Sequence, residues 1–90
     1  MIKMMTYLVD CVTCLKVGKS RRLDLRLAMI KFLTKNEVTL LIYVNGDYEK
    51  QVLDYLKPFA INGREWLRRD CIDKALEYFK RLKENPLIFD

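Results

Sequence analysis

The chain has 90 residues, 51% hydrophobic, with ten aromatics, three glycines and two prolines, and a formal net charge of +5. That length supports one domain, residues 1–90, with a core near the lower limit of what folds unaided, and the composition excludes a disordered chain. No apolar run approaches the roughly 18 residues needed to cross a bilayer, and the start, MIKMMTYLVD, lacks the features of a signal peptide, so the expectation is a cytoplasmic protein that does not use a membrane.

Charge is unevenly distributed. Residues 1–36 carry eight basic groups against two acidic ones, a net +6, whereas residues 37–90 carry nine against ten. The excess lies mostly between Lys16 and Lys35. The chain has no histidine, which removes the commonest general acid/base and metal ligand at neutral pH, and an odd count of three cysteines argues against a disulfide framework.

In chain order, Thr6–Val12 is rich in strand formers and reads as the first strand. Lys16-Val17-Gly18-Lys19-Ser20 reads as a break, with Ser20 placed to cap a following helix. Residues 21–35 carry two signals. Leu23, Leu25 and Leu27 alternate with charged residues as in a strand, but Leu, Arg, Ala, Met and Lys favour a helix. Leu23, Leu27 and Ile30 form one helical row, and Leu25, Ala28/Met29 and Phe32 a second. Composition decides for a helix over 21–34.

Glu37–Asp47, EVTLLIYVNGD, is a nearly continuous apolar run closed by turn residues, and it predicts a central strand buried on both faces. Asp47 is placed to cap a helix over Tyr48–Lys57, ended by Pro58. Asn62-Gly63-Arg64-Glu65 resembles a capping box opening a helix over Gly63–Glu84, and Leu87-Ile88-Phe89 could add a final strand. The order β-α-β-α-α-(β) predicts an α/β domain with a short, mostly parallel sheet covered by helices. The competing fold is α+β, a three-stranded antiparallel meander with two C-terminal helices.

Four features bear on chemistry. Lys16, Lys19, Arg21, Arg22 and Arg26 place five cations within eleven residues, offset by Asp24, and could track a phosphate backbone with little base specificity. Thr13–Ser20 resembles a phosphate-binding loop whose first glycine is replaced by Thr13, leaving Gly18, Lys19 and Ser20 as an anion contact or an ordinary turn. Cys11 and Cys14 form a C-x-x-C at a predicted strand end, which points to thiol–disulfide chemistry or to packing of small apolar side chains. Asp10, Asp47 and Asp90 each close an apolar run, and a parallel sheet would bring them to one edge, as a magnesium-dependent nuclease requires.

The leading expectation is a binding protein for a polyanion, above all nucleic acid, through Lys16, Lys19, Ser20, Arg21, Arg22 and Arg26, with no cofactor or metal. Redox, nuclease and interaction-module readings stand beside it, the last as a homodimer. No catalytic residue is named by the sequence.

Overall fold

The structure, a computed structural model, describes residues 3–84. Strand β1 (Met5–Asp10) and strand β2 (Leu15–Ser20) form a hairpin, followed by helix α1 (Leu23–Thr34), strand β3 (Thr39–Asn45) and helix α2 (Glu49–Tyr55). Short strands β4 (Ala60–Asn62) and β5 (Trp66–Leu67) then lead into helix α3 (Ile72–Glu84). The strands make one sheet in the order β3-β1-β2-β5-β4, and every pairing is antiparallel. This is an α+β fold.

The mostly parallel sheet expected from the element order is therefore wrong, and the reason is local. Thr13–Ser20 contains no loop beyond its first two residues. Leu15–Ser20 is a strand paired to β1 from Asp10↔Leu15 to Met5↔Ser20. That hairpin makes the first connection antiparallel. The competing α+β class was the right class, although not as a three-stranded meander. The helix over residues 21–34 is borne out in α1.

The hairpin turn is held by Asp10, whose Oδ1 accepts the Val12 N–H at 2.8 Å, and by the Cys11 N–H donated to the Cys14 carbonyl at 2.9 Å. Val12 takes φ +75, a left-handed conformation that a β-branched residue adopts at a cost of roughly 1–3 kcal/mol. Val12 is exposed, so Val12→Gly is expected to raise stability by about 1 kcal/mol in urea titrations.

Period-two alternation divides the sheet between two cores. Leu8, Leu15, Val17, Val44 and Leu67 meet Val52, Leu53 and Leu56 of the α2 region and Ala75, Phe79 and Leu82 of α3. Tyr7 and Val9 meet Ile30, with Leu23, Leu27, Val38, Leu40, Cys14 and Trp66 around them. The strands buried on both faces are thus β1, where Thr6, Tyr7, Leu8 and Val9 are fully inaccessible, and its neighbour β2. The run predicted as central is β3, which lies at the end of the strand order and is only half-buried. Its apolar alternation serves one core on each side without a strand beyond it.

The long helix predicted from Gly63 starts only at Ile72. Residues 63–67 turn back to pair β5 with β4 and β2, and Glu65 reaches Lys16 instead of closing a capping box. Asp47 does not cap α2 either; Tyr48 stands at that position, and its N–H is donated to the Thr6 hydroxyl at 2.8 Å. The predicted strand Leu87-Ile88-Phe89 lies outside the described residues.

Candidate interaction surface

The cations of Lys16–Arg26 do not converge. Lys16 and Lys19 are three residues apart on β2, so strand alternation sends them to opposite faces of the sheet. Lys16 is 8% exposed, with Nζ 3.0 Å from Glu65 Oε2 and 5.0 Å from the centre of the Trp66 ring. On the other side Lys19 Nζ lies 2.9 Å from Asp47 Oδ2, and this hydrogen bond and charge raise its pKa. Ser20 is buried and its Oγ accepts the Arg22 N–H at 3.0 Å, a turn rather than a helix cap.

Arg21 and Arg22 immediately precede α1 and Arg26 lies in its first turns. Arg22 Nε is 3.7 Å from Asp24, whereas Arg21 and Arg26 have no ion pair among the described residues. Arg26 lies beside Tyr7, whose buried hydroxyl has no hydrogen bond of normal geometry.

The anion loop is not a loop. Gly18 sits in β2 opposite Tyr7, and the aromatic ring covers it. A phosphate has no backbone cradle there, because the strand amides are engaged in the ladder.

The carboxylates are dispersed too. Since β1 and β3 run antiparallel, Asp10 at the end of β1 and Asp47 after β3 stand at opposite ends of the sheet. Asp10 Oδ2 is 2.9 Å from Arg69, and Asp47 holds Lys19. Asp90 lies outside the described residues. No cluster of three potential metal ligands occurs among the described residues.

Cys11 and Cys71 are buried and Cys14 is half-buried, as the packing reading expected. Burial, with the neighbouring Cys14 next in weight, pushes the Cys11 thiol from 9.0 up to about 11. Thiolate, the reactive form, is therefore suppressed at neutral pH. The raised value also fixes a pH dependence. Its contribution to stability is present below pH 9, where the unfolded thiol is also neutral, and is lost as pH rises from 9 through about 11. Urea titrations of the chain are expected to show stability falling across that window, and Cys11→Ala should make the fall shallower.

The feature that composition did not single out as a site is the outer side of α1. Its inner row, Leu23, Leu27 and Ile30, packs on the sheet. The opposite side is apolar as well: Leu25 is 56% exposed, Met29 54%, Phe32 80% and Leu33 67%. The spacing i, i+4, i+7, i+8 makes these one continuous stripe along the helix. Arg22 stands in line with it at the N-terminal end, and Arg26 flanks it beside Leu33. A surface helix ordinarily turns charge to water, so an apolar stripe of this length stands out from the rest of the surface. The second helical row in the sequence was the signal for it.

No helix among the described residues is long and apolar enough to cross a membrane. Compared with models of known protein families, with curated proteins and with solved structures, the chain has no significant match.

Proposed function

We propose that the protein is an interaction module whose working surface is the outer side of α1. The observation that carries this reading is the exposure of Leu25, Met29, Phe32 and Leu33 on one helical stripe while a separate apolar row of the same helix fills the core. Scattered apolar residues are ordinary on a surface, but four in register on one helix cost solubility without serving the fold. An uncharged solvatochromic dye tests it. At sub-micromolar protein the native chain should enhance dye emission, and Phe32→Ser with Leu33→Ser should abolish the enhancement while leaving the far-ultraviolet circular dichroism unchanged. Equal dye response in both proteins would remove the reading.

A second reading rests on Arg21 and Arg26, which have no acidic partner among the described residues; Arg21 is next to Arg22 in the chain and Arg26 one turn beyond it. These three cations support phosphate contact at the start of α1, a smaller site than the eleven-residue segment. Lys16 is committed to Glu65 and Trp66. On duplex DNA two or three phosphate contacts correspond to a slope of log K against log salt of about −2 to −3. Arg21→Glu with Arg22→Glu should flatten that slope for all sequences alike, since phosphates carry no base identity. Arg81→Glu, on a cation paired with Glu77, should change it little. Absence of binding at low salt would dispose of this reading.

A further inference from the structure

We infer that Cys11 and Cys14 are a redox modification site: a reversible disulfide across the β1–β2 turn, closed by a hydroperoxide and reopened by a small thiol such as glutathione. The inference is independent of the α1 surface. It starts from register. The hairpin pairs Tyr7 with Gly18 and Val9 with Lys16, so the same register continued past Asp10↔Leu15 sets Cys11 opposite Cys14. The Cys11 N–H donated to the Cys14 carbonyl at 2.9 Å carries the pairing to that point. Directly opposed residues of an antiparallel pair put their side chains on the same face. Both cysteines accordingly belong to the second core, with Tyr7, Val9 and Ile30. Cys71 lies in the first core, across the sheet, and takes no part.

The spacing admits a bridge but does not favour a permanent one. In a hydrogen-bonded antiparallel pair the Cα atoms stand about 5.5 Å apart, inside the roughly 4.4–6.8 Å that a disulfide spans. The Cβ atoms set the tighter condition, since they start about 4.5–5.5 Å apart and a bridge needs about 3.8 Å. Closure must therefore draw the strand ends together by about 1 Å. It does so at a turn that other elements already hold. Asn36 Nδ2 donates to the Cys11 carbonyl at 3.0 Å, and Arg69 donates to the Val12 carbonyl at 2.6 Å and to Asp10 Oδ2 at 2.9 Å. A bridge closed against such anchors is strained, and strained bridges are the ones that small thiols reduce. The loop it closes is also very short, so it removes little entropy from the unfolded chain and gains little as a staple.

Exposure orders the chemistry. Cys11 is inaccessible and Cys14 half-buried, so the peroxide meets Cys14. The Cys14 sulfur attacks one peroxide oxygen, the O–O bond breaks, and the other oxygen leaves with the thiol proton, as water when the oxidant is hydrogen peroxide. Cys14 is then a sulfenic acid. The Cys11 sulfur attacks the Cys14 sulfur, the S–O bond breaks, and the hydroxyl leaves as water with the Cys11 proton. The two sulfurs have together given two electrons to the peroxide. In the reverse direction two glutathione molecules supply two electrons and two protons and leave as glutathione disulfide.

The test treats the full, reduced chain with hydrogen peroxide and then with glutathione. Trypsin cuts after Lys3 and Lys16, so Cys11 and Cys14 leave on one peptide, residues 4–16, and Cys71 on another. The 4–16 peptide should become lighter by two hydrogens. Thiol titration in denaturant should fall from three groups to one, and glutathione should restore all three. This peptide map decides the bridge without any variant. Dimedone, which labels sulfenic acids, checks the order of attack in variants whose fold is confirmed by circular dichroism. Cys11→Ala should trap the label on Cys14, whereas Cys14→Ala should leave Cys11 unlabelled; label on Cys11 would overturn Cys14 as the point of entry.

Three thiols retained under peroxide that fully oxidises free glutathione overturn the site. Sulfinic acid at Cys14 with Cys11 still reduced, or a bridge between chains, shows that the two sulfurs do not meet and overturns it equally. A Cys11–Cys14 bridge that resists glutathione is a permanent staple and overturns the reversible bond.

Discussion

Replacing Gly18 by alanine is expected to lower the midpoint of thermal unfolding by about 10–20 °C, or to prevent folding. A methyl group built on Gly18 lies 2.4 Å from the Tyr7 hydroxyl oxygen and 2.6 Å from the ring carbon that bears it. Both distances are far inside van der Waals contact. Tyr7 cannot swing away, because it is fully buried in β1, between Gly18 of β2 on one side and β3 on the other. Overpacking of this kind costs about 1–3 kcal/mol and occasionally more. A 90-residue domain has only about 5–13 kcal/mol in total, and each kcal/mol moves the midpoint by about 4–8 °C. Tyr7→Leu removes the obstructing ring end, so the double variant should recover part of the loss, a coupling that unfolding of the four proteins measures directly. Additive losses would show that Gly18 serves something other than the ring. An anion site at Gly18 makes a different forecast, loss of phosphate binding with an unchanged midpoint.

The second large effect comes from a contrast between two phenylalanines, each on a helix with an apolar row. Phe79→Ala is expected to cost about 3–5 kcal/mol, because Phe79 is fully buried in the core between α3 and the sheet. Phe32→Ala, at a residue 80% exposed, should stay within about 0.5 kcal/mol of the native chain. Its effect should fall instead on dye binding. Chemical denaturation and dye emission of the same two variants separate the roles. If Phe32→Ala destabilised the monomer as much as Phe79→Ala, the stripe would be part of the fold and the contact surface would be lost with it.

Much of the local structure was legible in the residues. Thr6–Asp10 is a strand because Tyr7, Leu8 and Val9 favour extended backbone and can be buried on both sides. Residues 23–34 form a helix because their composition outweighs a short alternation. The two apolar rows of α1 were also visible, since helical spacing is a property of the sequence alone. What the residues could not say is which row the sheet would cover, because both are apolar and of similar length. That depended on where β1 and β2 placed Tyr7 and Val9.

The tertiary structure alone decided the direction of the sheet and the fate of the charges. Leu15–Ser20 holds two lysines and a glycine, which read as a loop, yet pairing to β1 and cover from the Tyr7 ring make it a strand. That one hairpin reversed the first connection, moved Asp10 and Asp47 to opposite ends and made β3 an edge instead of the centre. The clustered cations were real in sequence but not in space. A strand separates positions three apart by a whole sheet, so Lys16 went to Glu65, 49 residues onward, and Lys19 to Asp47. Arg21, Arg22 and Arg26 stay near one another only along the chain, at and just before the first turn of α1. Partners so distant along the chain carry no local signal, and only folding brings them within reach.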